Sequence, residues 1–252
     1  MNIDQILQKL LPMQPLASNE GAHLDLLMYL IHGVILILFV GWGLYFIVVL
    51  LKFRKTPGHK VKGSSDTVHH VSSAVEWAVV AIEFLLLFIF SIPFWATNIA
   101  SIPEGKNLLE IRVVAQQFAW NVHYSGPDGK FGRVSAKFLE ENTLGLDPDD
   151  PNVKDDITTM NQIYVPVNQT VLIRLTSKDV IHSLGIPAMR VKQDIIPGMN
   201  TFVWFTPNKI GQYDIVCSQL CGMGHYRMRA LLNVLSKADY DDWIQQQKGI
   251  HD

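Results

Sequence analysis

The chain has 252 residues and a formal net charge of −2, and hydrophobic residues make up 48% of it. So small a charge does not suggest nucleic-acid binding, and the sequence shows no basic groove lined with aromatic residues. The mean hydropathy of +0.17 is high for a soluble protein. It is high because two long apolar runs lie near the N-terminus.

The first apolar run, 26–51, contains no formal charge. A helix rises 1.5 Å per residue, so this run would reach about 39 Å, more than the roughly 30 Å hydrocarbon core of a bilayer. Residues 1–25 precede it as a short amphipathic lead-in that we expect on the outer side. They lack the charged start and long apolar core of a secretory signal peptide.

A second apolar run, 77–95, has a tryptophan at each end, where aromatic side chains meet the membrane interface. It is just long enough to cross a bilayer as a helix. The connecting segment "KFRKTPGHKVK", 52–62, holds five Lys or Arg and no acid. Because short basic loops stay in the cytoplasm, we predict a transmembrane helical hairpin over 26–100, with a cytoplasmic loop at 52–75 and both termini outside.

From residue 101 onward, short β-rich runs alternate with turn residues. "LLEIRVVA" alternates apolar and charged side chains, as a half-buried strand does. Similar runs occur at 117–124, 170–176, 201–206 and 212–217. This pattern predicts an exported all-β sandwich or small barrel over 101–252. The final "SKADYDDWIQQQ" predicts a helix with Ser236 as N-cap and Asp239 at its third position.

Both cysteines of the chain lie in "CSQLCGMGHYRM", 217–228. A disulfide between Cys217 and Cys221 suits an exported domain, but it leaves His225 and Met228 without a role. Zinc takes Cys and His ligands, yet it has no use for a thioether. A thiolate, an imidazole and a weak thioether are typical of copper electron-transfer sites, which favours copper.

The second imidazole that a copper site requires is available at His182, in "SKDVIHSLGIP". We predict this histidine in a turn between two strands. A mononuclear site needs only one thiolate, so the second cysteine favours two thiolates that bridge two coppers. One electron spread over two metals changes each bond only slightly, which suits electron transfer.

The cysteine loop resembles the loop C-S-x-x-C-G-x-x-H-x-x-M of cytochrome c oxidase subunit II, and "DVIHSLGIPAMRVKQDIIPG" resembles that family's segment with the first histidine. The two apolar runs and the β-rich domain match as well, so the resemblance covers most of the chain. It implies a cupredoxin-like Greek-key sandwich with a binuclear copper A (CuA) centre. One copper would take His182 and Met228, the other His225 and the backbone carbonyl of Gln219, with Cys217 and Cys221 bridging both.

Gln219 stands where the family has a glutamate that helps hold a magnesium ion at the interface with subunit I. Magnesium prefers carboxylate to amide oxygen, so we expect this interfacial magnesium to be weak or absent. Stoichiometric magnesium beside Gln219 in the intact complex would contradict the expectation.

"QQFAWNVHY" resembles the aromatic stretch in which a family tryptophan receives the electron from cytochrome c. Phe118 stands at that tryptophan's position, and Trp120 is the next aromatic residue on the same face. Both are candidates for receiving the electron, and both are equally well explained as strand core.

The segment 138–159 carries seven acids and one lysine. It is either a solvated loop or a docking patch for a basic cytochrome c. A docking patch predicts slower low-salt turnover when four aspartates are neutralised together: Asp149, Asp150, Asp155 and Asp156. The chain has no C-x-x-C-H motif, so the donor is expected to be a separate cytochrome c or a cytochrome c domain of a larger respiratory assembly.

Two acids lie in or beside the second apolar run. Glu76 matches the family position of a glutamate at the mouth of a proton pathway into subunit I, and we hypothesise that it helps proton uptake. Unchanged turnover in Glu76→Ala would contradict this. Glu83 lies deeper on the same helix face, where an acid must face protein or stay protonated.

The resemblance implies an electron-accepting subunit of a haem-copper oxidase. Its partners would be subunit I, which reduces oxygen to water and pumps protons, and subunit III. The chain itself would hold no oxygen-reducing site and no haem. A bacterial inner membrane with the copper domain in the periplasm is the expected location. The alternatives are a copper subunit of a nitric oxide reductase and a membrane-anchored copper chaperone or sensor.

Overall fold

The computed structural model describes residues 14–54, 66–98, 100–103, 105 and 108–248. The chain divides into two compact units: His23–Ser101, and Met1–Ala22 together with Ile102–Asp252. The first unit holds the apolar helices and the second holds the β-strands. Residues 14–22 of the lead-in therefore belong to the β-rich unit.

Helix α1 spans Gly21–Lys52 and thus begins before the predicted apolar run. Its apolar side chains are largely exposed, as they would be on a helix surrounded by lipid instead of protein. Within the part of the chain that the structure describes, α1 and the helical stretch Ser72–Thr97 are long and apolar enough to cross a membrane. This confirms the two apolar helices that the sequence predicts.

The second apolar run lies in a longer helical segment. It consists of α2 (Asp66–Leu85), a π-helical turn (Leu86–Ser91) and α3 (Ile92–Asn98). The wider turn ends two residues before Pro93, whose ring nitrogen cannot donate a helical hydrogen bond. The predicted loop at 52–75 therefore includes the first turns of α2, and 55–65 lie outside the described residues.

Among the described residues of the second unit, the structure forms ten strands: β1 (Leu108–Gln116), β2 (Ala119–Tyr124), β3 (Ile157–Met160), β4 (Gln162–Pro166), β5 (Thr170–Ser177), β6 (His182–Ile186), β7 (Val191–Ile195), β8 (Thr201–Phe205), β9 (Gly211–Cys217) and β10 (Arg229–Leu235). They make two five-stranded sheets, in the orders β3-β2-β1-β5-β8 and β4-β10-β9-β6-β7. The predicted fold class, two apolar helices with an all-β sandwich, is confirmed.

The two sheets share one apolar core. Val113 and Ile173 from the first sheet and Leu184, Ile215 and Leu232 from the second are all fully buried. Along β1 the buried side chains alternate with partly exposed ones, as the sequence pattern predicts. Burial of this core stabilises the framework from which the cysteine loop projects.

The described part of the lead-in is bonded to the β-rich unit. Ala17 donates its N–H to the carbonyl of Ala188 at 2.8 Å and accepts from the N–H of Asn208 at 2.9 Å. The hydroxyl of Ser18 donates to the carbonyl of Met189 at 2.8 Å. Ala17 and Ser18 are fully buried, so this segment is an integral edge of the β-rich unit.

Helix α4, Lys237–Lys248, ends the described chain as predicted. The hydroxyl of Ser236 accepts the N–H of Asp239 at 3.1 Å and donates to its carboxylate at 2.6 Å. These two bonds confirm Ser236 as the N-cap. Trp243 holds the helix against the sandwich, because its ring stacks on Tyr164 with centroids 4.5 Å apart.

Candidate metal centre

The cysteine loop, residues 217–228, connects β9 to β10. Cys217 is the last residue of β9, and Met228 directly precedes β10. The N–H of Cys217 donates to the carbonyl of Met228 at 3.1 Å, which closes the base of the loop. Antiparallel pairing of β9 with β10 thus brings Cys217 and Met228, the first and last predicted ligands of the loop, close together.

His182 is the first residue of β6, so the prediction that it lies in a turn is wrong. In the antiparallel pairing of β6 with β9, Leu184 lies opposite Cys217. The N–H of Ser218 also donates to the carbonyl of Ser183 at 2.8 Å. Every residue of β6 is buried, so "HSLGI" lacks the alternating pattern by which half-buried strands are predicted.

The structure brings together all six residues that the sequence predicts as ligands: His182, Cys217, Gln219, Cys221, His225 and Met228. The sulfur atoms of Cys217 and Cys221 lie 3.8 Å apart. The Cys221 sulfur lies 3.6 Å from Nδ1 of His225 and 3.7 Å from the sulfur of Met228. The Cys217 sulfur lies 3.2 Å from the carbonyl oxygen of Gln219. Each of these donor atoms therefore lies within 4 Å of a cysteine sulfur.

Nδ1 of His182 completes this group, 4.0 Å from the sulfur of Cys217. The donor atoms of His182, Cys217 and Cys221 all lie within 4.8 Å of one another, and these three residues are buried. His225 is half-buried. Both cysteines are free, so their sulfur atoms remain available to a metal. A cluster of soft sulfur and imidazole donors in an apolar setting is able to bind a metal ion.

The two thiols differ in acidity because they interact. Burial raises the pKa of Cys217, but hydrogen bonds to its sulfur from His182 and from the backbone of Gln219 outweigh burial and lower it to about 6. Burial raises the pKa of Cys221, and the neighbouring Cys217 raises it further. One thiolate forms readily, and its charge then holds the second proton. A bound cation would favour the loss of both protons.

Asp179 and Gln117 also belong to the site, and sequence reasoning missed both. Nε2 of His182 donates to the Asp179 carboxylate at 2.9 Å, and the N–H of Gln117 donates to the same carboxylate at 2.7 Å. Burial raises the pKa of Asp179, but these bonds outweigh it and lower the pKa. The one available signal was the spacing D-x-x-H, since metal-binding histidines commonly donate to a carboxylate.

The two aromatic candidates for receiving the electron, Phe118 and Trp120, differ in solvent exposure. Trp120 is fully buried, with its ring edge-on to His182 at a centroid distance of 6.3 Å. Phe118 is half-buried and packs directly against the cysteine loop at Gly222 and Gly224. Phe118 is thus the one of the two that a docked protein could approach.

Several carboxylates of the acidic segment 138–159 are buried and accept hydrogen bonds within the fold. Asp156 is 3% exposed and accepts from Nε2 of His123 at 2.7 Å and from the N–H of Gly132 at 2.9 Å. Asp150 is 8% exposed and accepts from the N–H of Arg133 at 2.8 Å. Neutralising four aspartates together would therefore disturb the fold, and it would not test docking alone.

Glu76 and Glu83 both lie in α2. The hydroxyl of Ser72 donates to the carboxylate of Glu76 at 2.9 Å. Both glutamates are exposed within this unit, so it offers neither of them a buried environment.

Comparisons with known proteins identify similar chains. The "alternative cytochrome c oxidase subunit 2" of Bradyrhizobium diazoefficiens is 38% identical over 55% of this chain, and the match spans only 51% of that relative's length. The "probable cytochrome c oxidase subunit 2" of Rickettsia conorii is 30% identical over 92% of this chain and 69% of the relative. Among solved structures, the periplasmic domain of subunit II of cytochrome oxidase from Bradyrhizobium japonicum is 28% identical to this chain, with a TM-score of 0.45. The match covers 60% of this chain and 100% of the solved domain.

The family profile described as the periplasmic domain of cytochrome c oxidase subunit II matches residues 109–235. This match takes in β1 almost entirely and extends through β10 and the cysteine loop. Together with the Rickettsia conorii relative, which matches over nearly the whole chain, it establishes the relationship. The chain belongs to the cytochrome c oxidase subunit II family.

Proposed function

We propose that this chain is the electron-accepting subunit of a haem-copper cytochrome c oxidase and that its cysteine loop holds a binuclear CuA centre. The observation that carries the proposal is the 3.8 Å separation of the two cysteine sulfurs. Both sulfurs have an imidazole nitrogen within 4.0 Å. Two thiolates at this separation are positioned to share two metal ions.

The donor set favours copper over zinc. A structural zinc site is closed by four ligands drawn from Cys, His and carboxylates, whereas this site adds the sulfur of Met228 and the carbonyl of Gln219. Thioether ligands are typical of copper electron-transfer sites. The residues that would hold the metals are those predicted from the sequence: His182, Cys217, Gln219, Cys221, His225 and Met228.

A copper pair held by these residues would supply one-electron chemistry between a cytochrome c donor and haem in subunit I. The contribution of the chain is to hold the donor atoms and exclude water. Cys217, Cys221 and Met228 are each at most 8% exposed, so the site needs little solvent rearrangement. A rigid and dry site lowers the reorganisation that electron transfer requires.

The partners follow from the same role. Subunit I would reduce oxygen to water with proton translocation, and subunit III would complete the membrane assembly. The donor would be a cytochrome c or a cytochrome c domain of a larger respiratory assembly. The β-rich unit would lie in the periplasm of a bacterium, with α1 and the stretch Ser72–Thr97 in the inner membrane. Phe118 and Glu76 remain the candidates for receiving the electron and for proton uptake.

Metal analysis and electron paramagnetic resonance of the full chain in detergent test the proposal. We expect two coppers per chain and a hyperfine pattern that a single copper nucleus cannot give. Met228→Leu should alter the spectrum, while Met199→Leu, a change at an exposed methionine, should leave it as in the wild type. One copper per chain would contradict the oxidase role and favour a chaperone, and the haem content and substrate of the complex would distinguish a nitric oxide reductase.

A further inference from the structure

We propose that Asp179 and Gln117 form a bracket that positions the two ligand-bearing segments of the metal centre, one on β6 and one in the cysteine loop. The inference rests on the proposed function. It assigns both residues as positioning residues, because neither side chain is among the proposed ligands.

Asp179 sets the orientation and tautomer of His182. Nε2 of His182 lies 2.9 Å from the Asp179 carboxylate. An ionised carboxylate only accepts hydrogen bonds, so Nε2 must carry the proton. Nδ1 is then left without a proton, and it faces the sulfur of Cys217 at 4.0 Å. The carboxylate thus presents the ligand nitrogen of His182 in the form that a metal requires.

Gln117 extends the bracket to the cysteine loop. Its N–H donates to the Asp179 carboxylate at 2.7 Å, and its side-chain Nε2 donates to the carbonyl of Cys221, also at 2.7 Å. The side chain passes so close to the loop that a Cβ on Gly222 would lie 2.7 Å from Nε2 of Gln117. Gln117 therefore connects the β1–β2 turn of the first sheet to a ligand-bearing loop of the second.

Asp179 is held in place independently of any metal. The N–H of Asp179 donates to the hydroxyl of Ser177 at 3.3 Å, and that hydroxyl donates to the carbonyl of Val180 at 2.7 Å. The N–H of Val180 in turn donates to the Asp179 carboxylate at 2.7 Å. The N–H of Lys178 donates to the carbonyl of Ala115 at the end of β1, at 3.1 Å. The bracket therefore stands on a turn fixed to the sandwich.

The bracket has two separable effects. Removal of the Asp179 charge beside His182 should disfavour the more oxidised metal pair and so shift the reduction potential in the positive direction. Removal of the Gln117 side chain frees the carbonyl of Cys221 but leaves the backbone N–H of Gln117 on Asp179. That change should loosen metal retention without moving the potential.

The experiment uses the full chain in detergent, loaded with copper, and three variants: Asp179→Asn, Gln117→Ala and the control Glu110→Gln. Glu110 is an acid on β1 that pairs with Arg174 at 2.9 Å, so its neutralisation removes one charge away from the site. Loss of a carboxylate or amide that orients a ligand typically costs about 10–100-fold in metal affinity. We expect copper loss to a chelator to rise by about that factor in Asp179→Asn and Gln117→Ala. Only Asp179→Asn should shift the potential.

The bracket would be overturned if Asp179→Asn and Gln117→Ala both kept the copper retention and the reduction potential of Glu110→Gln. A second measurement keeps the inference separate from the proposed function and from any folding defect. In the copper-free wild-type chain, long-range nitrogen–proton correlation should show His182 as the Nε2–H tautomer, and a different tautomer would overturn the bracket. This result does not depend on whether the wild type then binds two coppers, which tests only the proposed function.

Discussion

Gly224 leaves the space that the ring of Phe118 fills beside the cysteine loop. A Cβ on Gly224 would lie 2.5 Å from Cδ2 and 2.6 Å from Cγ of Phe118. Carbon atoms do not approach so closely without displacement, so either the ring or the loop would have to move. The absent side chain at Gly224 thus helps to set the position of the loop that carries most of the proposed ligands.

Gly224→Ala should therefore distort the site by overpacking. We expect the free energy of unfolding to fall by about 1–3 kcal/mol, the usual cost of an inserted methyl group in a packed region. Copper retention should fall with it, because His225 directly follows the substituted residue. Urea unfolding of the copper-loaded chain and the copper-to-protein ratio measure the two effects.

A smaller side chain at position 118 provides the control for that prediction. Phe118→Leu alone sets the baseline, and Gly224→Ala combined with Phe118→Leu should recover most of the lost stability, since leucine leaves room for the new Cβ. A double variant no more stable than Gly224→Ala would show that the contact with Phe118 is not the cause.

At the residue scale, most of the predicted ligands are fixed by their spacing along the sequence, and His182 is the one ligand predicted from another element. Cys217, Cys221, His225 and Met228 follow one another on a single loop, so their spacing alone predicts a common site. Asp179 and Gln117 reach the same site from other elements, and single-sequence patterns carry little information about such distant contacts. The packing of Phe118 on Gly224 was unpredictable for the same reason.

At the scale of elements, the acidic segment separates into carboxylates that fold it and carboxylates that face solvent. Asp156 is bonded inside the β-rich unit to His123 of β2, whereas Asp149 is exposed. The ring of His123 also contacts Phe131 edge-on, with centroids 5.0 Å apart. Only the exposed carboxylates are able to contribute to a docking surface for a basic donor.

We therefore expect Asp156→Ala and Asp149→Asn to behave differently. The Asp156 carboxylate accepts from His123 and from the N–H of Gly132, and each buried donor left unpaired costs roughly 1–3 kcal/mol. Asp156→Ala should therefore strongly lower the free energy of unfolding. Asp149→Asn should change it by no more than about 0.5 kcal/mol, as is usual for surface substitutions. Urea unfolding of the copper-free chain measures both. Equal destabilisation by the two substitutions would contradict this division of the segment.

The clarity of the local sequence pattern explains which elements the sequence predicts well. The sequence patterns of β1, β5, β8 and β9 are recognisable, and the sequence places these strands almost where the structure has them. β6 is buried throughout, and β3 and β4 are short, so their patterns are weak. The capping residues of α4 form a local signal, which is why Ser236 is predicted correctly.

At the scale of the whole molecule, the position of the chain in the membrane depends on the basic segment 52–62. Lys and Arg in short loops are retained on the cytoplasmic side, so this segment should face the cytoplasm and the β-rich unit the periplasm. Arg54, two residues after the end of α1, and Asp149 in the β-rich unit are both exposed. A reagent that cannot cross the membrane should therefore reach only one of them in intact cells.

Cysteine labelling tests this orientation in a chain whose own thiols are removed by Cys217→Ser and Cys221→Ser. In that background, Asp149→Cys should react with an impermeant maleimide in intact spheroplasts, because its side chain lies on the periplasmic side. Arg54→Cys should react only after the membrane is opened, since it lies beside the retained positive charges. The background chain without added cysteine controls for other reactive groups. Labelling of Arg54→Cys from outside would invert the proposed topology and place the metal centre in the cytoplasm, where an electron from a periplasmic cytochrome c could not reach it.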